Sequence, residues 1–273
     1  MSYDQSAAEG SLRQNEYRGM PTGEQVPSPQ LLENVRMFFV AYEADPDVLR
    51  QELPPGLEPH PSNTIRMDMY RVPDGRMTSH LDEFTLTYLS IEIDEHDSTA
   101  ITASTGEEKS LPGRYWVGYW TDSSQMQKYV REFGGIPAEE GTTSWDWDGN
   151  SLSSTLSVDG QDVIDLQATA VPPESEEYEP KERVTGHFNY YARRQIPTLS
   201  GHRTAIDELV EFPIPSIFDV YEAEVESLEF DFPESHYGSQ FAPTEPLNVT
   251  DIVYGENSFA YPIGRQIKNY QTE

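Results

Sequence analysis

Apolar and polar side chains alternate along much of this chain. In TIRMDMY, residues 64–70, Ile65, Met67 and Met69 share one face, while Arg66, Asp68 and Tyr70 share the other, the two-residue period of a β-strand. RMFFVAY (36–42), EFTLTYLSIEI (83–93) and RYWVGYW (114–120) are strand-length runs of aromatic and β-branched residues. The stretch TTSWDWDGNSLSSTLSVDGQDVIDLQATAV reads as a meander that turns at Asp148-Gly149-Asn150 and at Asp159-Gly160. Strands resume at VTGHFNYYARR, AIDELVEF and DVYEAEVESLEFDF, beyond an acidic surface loop over 172–182.

Helical signals are fewer. Asp45 is a good N-cap, Pro46 suits the first helical position, and Pro54-Pro55-Gly56 ends a short helix. Further on, Asp122 with Gln125 has the form of a capping box. Met126, Tyr129, Val130 and Phe133 recur at helical spacing, and Gly134-Gly135 supplies the stop. The terminal FAYPIGRQIKNY leaves room for a helix after Pro262. Many strands and few short helices predict a mainly β (α+β) domain over 31–273, an antiparallel barrel-like sheet with a few accessory helices. Residues 1–30 are polar, rich in Gly, Pro, Ser, Gln and Glu, and aperiodic, which predicts a flexible acidic and polar arm.

Charge narrows the partners. The chain has 48 Asp and Glu against 18 Lys and Arg, a formal net charge of −30, so a nucleic-acid partner is not expected. Only Lys109, Lys128, Lys181 and Lys268 are lysines. Such a carboxylate-coated, lysine-poor surface repels itself in dilute buffer and is tolerated where salt shortens the Debye length to about 3 Å at 1 M. A halophilic, cytoplasmic protein is the expectation. Unfolding followed as KCl is lowered tests it: stability should fall toward 50 mM salt, and full stability there would contradict it. MSYDQSAAEG has neither the basic nor the apolar segment of a signal peptide, and no apolar run reaches the roughly 18–20 residues of a membrane helix. No membrane partner is therefore expected.

Common catalytic motifs are absent: there is no glycine-rich phosphate loop, no G-x-S-x-G elbow and no H-E-x-x-H. The chain has no cysteine, and its histidines, at 60, 80, 96, 187, 202 and 236, lie at no ligand spacing. Neither a metal nor a cofactor is expected.

What remains is an ordered series. R-M-F-F-V-A-Y, D-P-D-V-L-R-Q-E-L-P-P-G-L-E-P, I-R-M-D-M, Glu83, Y-W-V-G-Y-W-T-D and R-E-F-G-G-I-P resemble the acetoacetate decarboxylase family. The resemblance continues through NYY at 189–191 and PLNVTDIVYG at 246–255. It implies a closed or nearly closed β-structure around a largely apolar pocket, a small carbonyl or oxo-acid ligand, and a homo-oligomer. Enzymes of the family use an adjacent lysine pair after the Arg-Glu helix, one lysine forming a Schiff base with the substrate ketone. That lysine must be neutral to attack, and acetoacetate decarboxylase is itself the standing example of a lysine pKa depressed for the purpose.

Counted from Arg131-Glu132 through Pro137, the lysine pair falls here on Ala138 and Glu139, and the loop from Gly134 to Ser144 has no lysine. The Schiff-base route is thus unavailable at its usual position. Asp68 and Glu83 keep the interval of two acidic active-site residues of the family. The resemblance makes Glu83, Glu139 and Asp68 candidate catalytic acids and bases. Arg36, Arg131 and Tyr119 become candidates for substrate binding, with Arg131-Glu132 also readable as a loop brace. Were Glu139 to sit beside Glu83 in an apolar pocket, burial and like charge would raise a pKa and create an acid/base pair. Asp68, Glu83 and Glu139 are also readable as solvated surface carboxylates. The function expected is non-covalent carboxylate acid/base chemistry on a small oxo acid, of lyase, hydratase or tautomerase type. The alternative is a non-catalytic protein that holds such a ligand on the same fold.

Overall fold

The computed structural model describes residues 30–73, 82–197, 204–261 and 265–269. The arm expected over 1–30 lies outside the described residues except for Gln30, which already begins the first strand.

The strands in chain order are β1 (Gln30–Glu43), β2 (Thr64–Val72), β3 (Phe84–Thr102), β4 (Glu108–Thr121), β5 (Ala138–Glu140), β6 (Thr142–Asp148), β7 (Ser151–Val158), β8 (Gln161–Ala170), β9 (Glu182–Pro197), β10 (Thr204–Tyr221), β11 (Ala223–Phe230), β12 (Val249–Tyr261) and β13 (Arg265–Asn269). Among the described residues two α-helices interrupt them, α1 (Pro46–Glu52) and α2 (Ser124–Gly134). Strands β12-β1-β2-β3-β9-β10 close on themselves, and β4 inserts alongside β3 and β9 to complete a seven-strand barrel. The barrel is mixed, which corrects the antiparallel expectation: β4 runs parallel to β9 and to β5. The parallel β4–β5 pairing follows from α2, a crossover that returns the chain to the sheet in its original direction.

A second sheet, ordered β11-β8-β7-β6, contributes to a core shared with one face of the barrel wall. Its hairpin β7–β8 turns at Asp159-Gly160 with both residues at positive φ, as a tight primed turn requires. One apolar cluster lies between the sheets, joining Ile65, Met67, Met69 and Ile91 of the barrel to Leu156 and Leu166 of the second sheet. A second cluster, rich in aromatics, lies inside the barrel.

Three local expectations change. The N-cap of α2 is Ser123, whose side chain accepts from the Met126 amide, while the Asp122 carboxylate accepts from the amide and hydroxyl of Thr85. Asp122 is thus taken up by the neighbouring strand. In place of the helix expected after Pro262, the described residues 265–269 form β13, paired with β10. And β10 runs unbroken through Pro213 and Pro215. Both prolines fall between the residues that pair with β13 (208–211) and those that pair with β12 (216–221), where that edge of β10 has no ladder to interrupt.

Candidate active site

Strand parity decides what enters the barrel. On β2 the apolar face, Ile65, Met67 and Met69, turns outward against the second sheet, while Tyr70 of the opposite face packs inside the barrel. The more polar face with Arg66 and Asp68 is therefore the interior one. On β4 the alternation is reset by a bulge: Leu89 pairs with Gly118 and Ser90 with Trp116, leaving Val117 as the extra residue. Arg114, Trp116 and Tyr119 consequently all face the barrel, whereas Val117 and Trp120 join the outer core. Gly118 permits this, because a Cβ there would come within 2.5 Å of the Trp120 ring.

The interior holds a cavity of about 470 Å³. Phe39, Tyr70, Phe218 and Phe259 make its walls largely apolar, and Arg114, Tyr88, Tyr190 and Asn257 bring polar groups into it. Arg114 Nη1 donates to the Tyr190 hydroxyl at 2.6 Å, and the Tyr190 and Tyr88 hydroxyls share a hydrogen bond of 2.9 Å. The guanidinium lies 5.3 Å from the ring centres of both Phe188 and Tyr190, a cation–π seat that holds it in place. Burial opposes the Arg114 charge, but Tyr190, Asp68, Glu92 and Tyr88 more than offset this, so its pKa is raised and it stays a cation.

Asp68 is fully buried beside this network. Neither of its oxygens completes a hydrogen bond of normal geometry, although the Tyr88 hydroxyl is placed to favour the carboxylate. Desolvation pushes its pKa up strongly; Arg114, Arg66 and Tyr88 pull it back, and the outcome is about 7. Burial likewise raises the phenols of Tyr88 and Tyr190, with Arg114 restraining Tyr190. A buried carboxyl with its pKa raised to about 7 thus sits behind the wall of a cavity that two phenols and a fixed cation line.

Arg66 and Lys109 also line the cavity, each held by carboxylates. Arg66 donates to Asp251 at 2.7 Å and to Glu92 at 3.4 Å. Arg66 and Asp251 both register with Ala41 on the intervening strand, and its small side chain leaves room for the bridge. Lys109 pairs with Glu182 at 3.4 Å, and Glu182 also accepts from the Thr102 hydroxyl. Among the described residues lining the cavity, Lys109 is the only lysine, and its side chain is about half exposed.

The expected site residues separate. Asp68 is inside, and Tyr119 is too, stacked on Tyr88 at 6.0 Å between ring centres. Glu83 is not: it precedes β3, stands exposed and pairs with Arg71. Glu139 does not sit in an apolar pocket near Glu83, which corrects that expectation. Because β5 pairs in parallel with β4, Ala138 aligns with inward Tyr119 and Glu139 with outward Trp120. Ala138 is fully buried in the interior cluster, while the Glu139 side chain is 39% exposed and lies 3.3 Å from His236 Nε2. His236 holds its proton on Nε2, since Nδ1 accepts from the Gly238 amide. Arg36 is exposed on β1. Arg131 is exposed as well and borders a different cleft, of about 430 Å³, with Pro137 and Arg193.

Sequence reasoning missed Arg114, Tyr190, Tyr88 and Asn257 as site residues. The available signal was a single cation opening the aromatic strand RYWVGYW. Among the described residues, no group of three or more His, Asp or Glu side chains is placed to hold a metal ion, and no helix is long and apolar enough to cross a membrane.

Comparison with known proteins gives one family. The model of the acetoacetate decarboxylase family matches residues 17–270. No curated protein matches the sequence. Among solved structures, an acetoacetate decarboxylase superposes with a TM-score of 0.73 at 16% identity, over 97% of this chain and 99% of that one. The enzyme of that name from Legionella pneumophila subsp. pneumophila str. Philadelphia 1 gives 0.68 at 17% identity, over 95% and 96%. The enduracididine biosynthesis enzyme MppR, complexed with pyruvate, gives 0.61 at 17% identity, over 92% and 96%.

Proposed function

We propose, since the chain belongs to the acetoacetate decarboxylase family, that it binds a small oxo acid inside the barrel and moves a proton on it without forming an imine. The observation that carries this reading is Arg114, a buried cation on the wall of a mostly apolar cavity, seated between two aromatic rings and bonded to Tyr190. An apolar chamber with one fixed cation and a few hydroxyls suits a small anion with a hydrocarbon body. The pyruvate complex of MppR makes pyruvate a natural first probe.

The proton chemistry follows from the groups at hand. Arg114 holds the carboxylate and favours negative charge developing on the adjacent carbonyl oxygen. The Tyr88 oxygen receives a proton from the carbon next to the carbonyl as its own hydroxyl proton passes to ionised Asp68, leaving an enolate. The reverse passage returns a proton to carbon. A base that titrates near neutrality serves this better than an ordinary carboxylate, because it is partly ionised yet still basic at pH 7. Glu83 and Glu139, both away from the cavity, take no part. Asp68 acts through Tyr88 and is a positioning and proton-holding residue.

Exchange of the carbon-3 protons of pyruvate with D2O, followed by NMR, tests the reading. Wild type should catalyse exchange. Arg114→Leu should weaken pyruvate binding by about a hundredfold, as loss of a charge-assisted contact implies. Asp68→Asn should still bind but exchange roughly 10²–10⁴ times more slowly. Binding without exchange in wild type would favour the holding protein, a reading supported by Asp68 lying behind the cavity wall. A borohydride-trapped lysine adduct with pyruvate would overturn the non-covalent mechanism.

A further inference from the structure

Asn257 has no role in the chemistry above. It lies on β12, aligned with Val35 of β1 and Phe218 of β10, and lines the cavity with only 5% of its surface exposed. Its surroundings are apolar: Met37, Phe39, Phe218 and Phe259 share the same interior cluster. The side-chain amide has one hydrogen-bonding contact, from Nδ2 to the Met37 sulfur at 3.3 Å, and its Oδ1 has no partner. Thioether sulfur is a weak acceptor, so both ends of a strongly polar group are underused in a place where an aliphatic side chain would pack without penalty. Rotating the amide would set Oδ1 against the sulfur, two acceptors facing each other, which fixes the orientation with the oxygen left over.

We infer that Asn257 is a specificity-determining residue whose amide oxygen accepts a hydrogen bond from a hydroxyl or comparable donor on the ligand, remote from the carboxylate. The substrate class is then a hydroxylated oxo acid rather than a simple alkyl one. The carboxylate end of this assignment rests on the oxo-acid reading; the donor end rests on Asn257 alone. A buried acceptor discriminates mainly by what it rejects, since a ligand lacking the donor leaves the oxygen desolvated and unpaired.

Calorimetric binding of 2-oxobutanoate and 2-oxopentanoate, each compared with its terminally hydroxylated counterpart, provides the test. Wild type should bind the better-fitting hydroxylated acid about tenfold more tightly than its partner. Asn257→Leu should remove that preference while changing affinity for the unhydroxylated acid by no more than about threefold. Should the leucine variant not fold, Asn257→Ala reads the same loss. Equal binding of each pair to wild type, or a preference that survives both substitutions, overturns the inference.

Failure of the oxo-acid reading has a different signature: no acid binds wild type, or binding does not depend on Arg114. In that case benzyl alcohol compared with toluene, probes without a carboxylate, reads the donor site directly. A preference for the alcohol that disappears in Asn257→Leu supports the inference, and the lack of one overturns it.

Discussion

The two cores of this molecule are built differently. Between the barrel and the second sheet the packing is largely aliphatic, and the polar atoms buried there are mostly neutral: hydroxyls that pair, as those of Thr87 and Thr143 do at 2.6 Å, and the indole and hydroxyl groups of Trp120, Ser154 and Tyr254. Inside the barrel the packing is aromatic and surrounds Arg66, Asp68, Arg114 and Asn257, some of whose polar atoms lack partners. The contrast separates two tasks. A core of apolar and neutral groups contributes stability, whereas buried charged groups that are incompletely paired cost stability and persist where a ligand or a reaction uses them.

Substitutions in the two cores should therefore act on different observables. Leu156→Ala, which empties a fully buried site between the sheets, should cost roughly 3–5 kcal/mol in denaturant unfolding while leaving pyruvate affinity of the folded protein unchanged. A loss of affinity there would join the two cores into one unit.

Asp68 should show the converse. Its folded pKa, about 7, lies above its unfolded value, so the folded state binds more protons between these limits and stability falls as pH rises. The cost is absent below about pH 4 and complete above pH 7, and it approaches about 4 kcal/mol for a shift of roughly three units. Asp68→Asn should gain on wild type across that window, measured as the difference between their unfolding free energies. A flat difference from pH 4 to 8 would mean that Asp68 titrates as an ordinary carboxyl. The smallest effect belongs to Glu83→Gln, which removes an exposed pair with Arg71 and should alter neither the melting temperature appreciably nor pyruvate binding. A hundredfold loss of binding would return Glu83 to the site.

Much of this architecture was legible. The faces of β2, the Asp45 cap of α1 and the Gly135 stop of α2 follow from local rules that tertiary packing did not override. The site was harder to see because the barrel reverses the usual meaning of alternation: the polar face of β2 points inward and its apolar face is covered by a second sheet. A reader of one strand cannot know which face a distant sheet will cover. Arg114 and Tyr190 are brought together by the parallel pairing of β4 with β9, a contact 76 residues apart that no local spacing encodes.

The extra residue at Val117 has a practical consequence for rebuilding this protein. It decides how positions 138 and 139 differ for an engineer: an amine grafted as Ala138→Lys would point into the interior cluster beside Tyr119, while one grafted as Glu139→Lys would emerge among Trp120 and His236 on the outer wall. A single added peptide unit on one strand thus governs which of two adjacent codons could turn an amine toward the barrel interior.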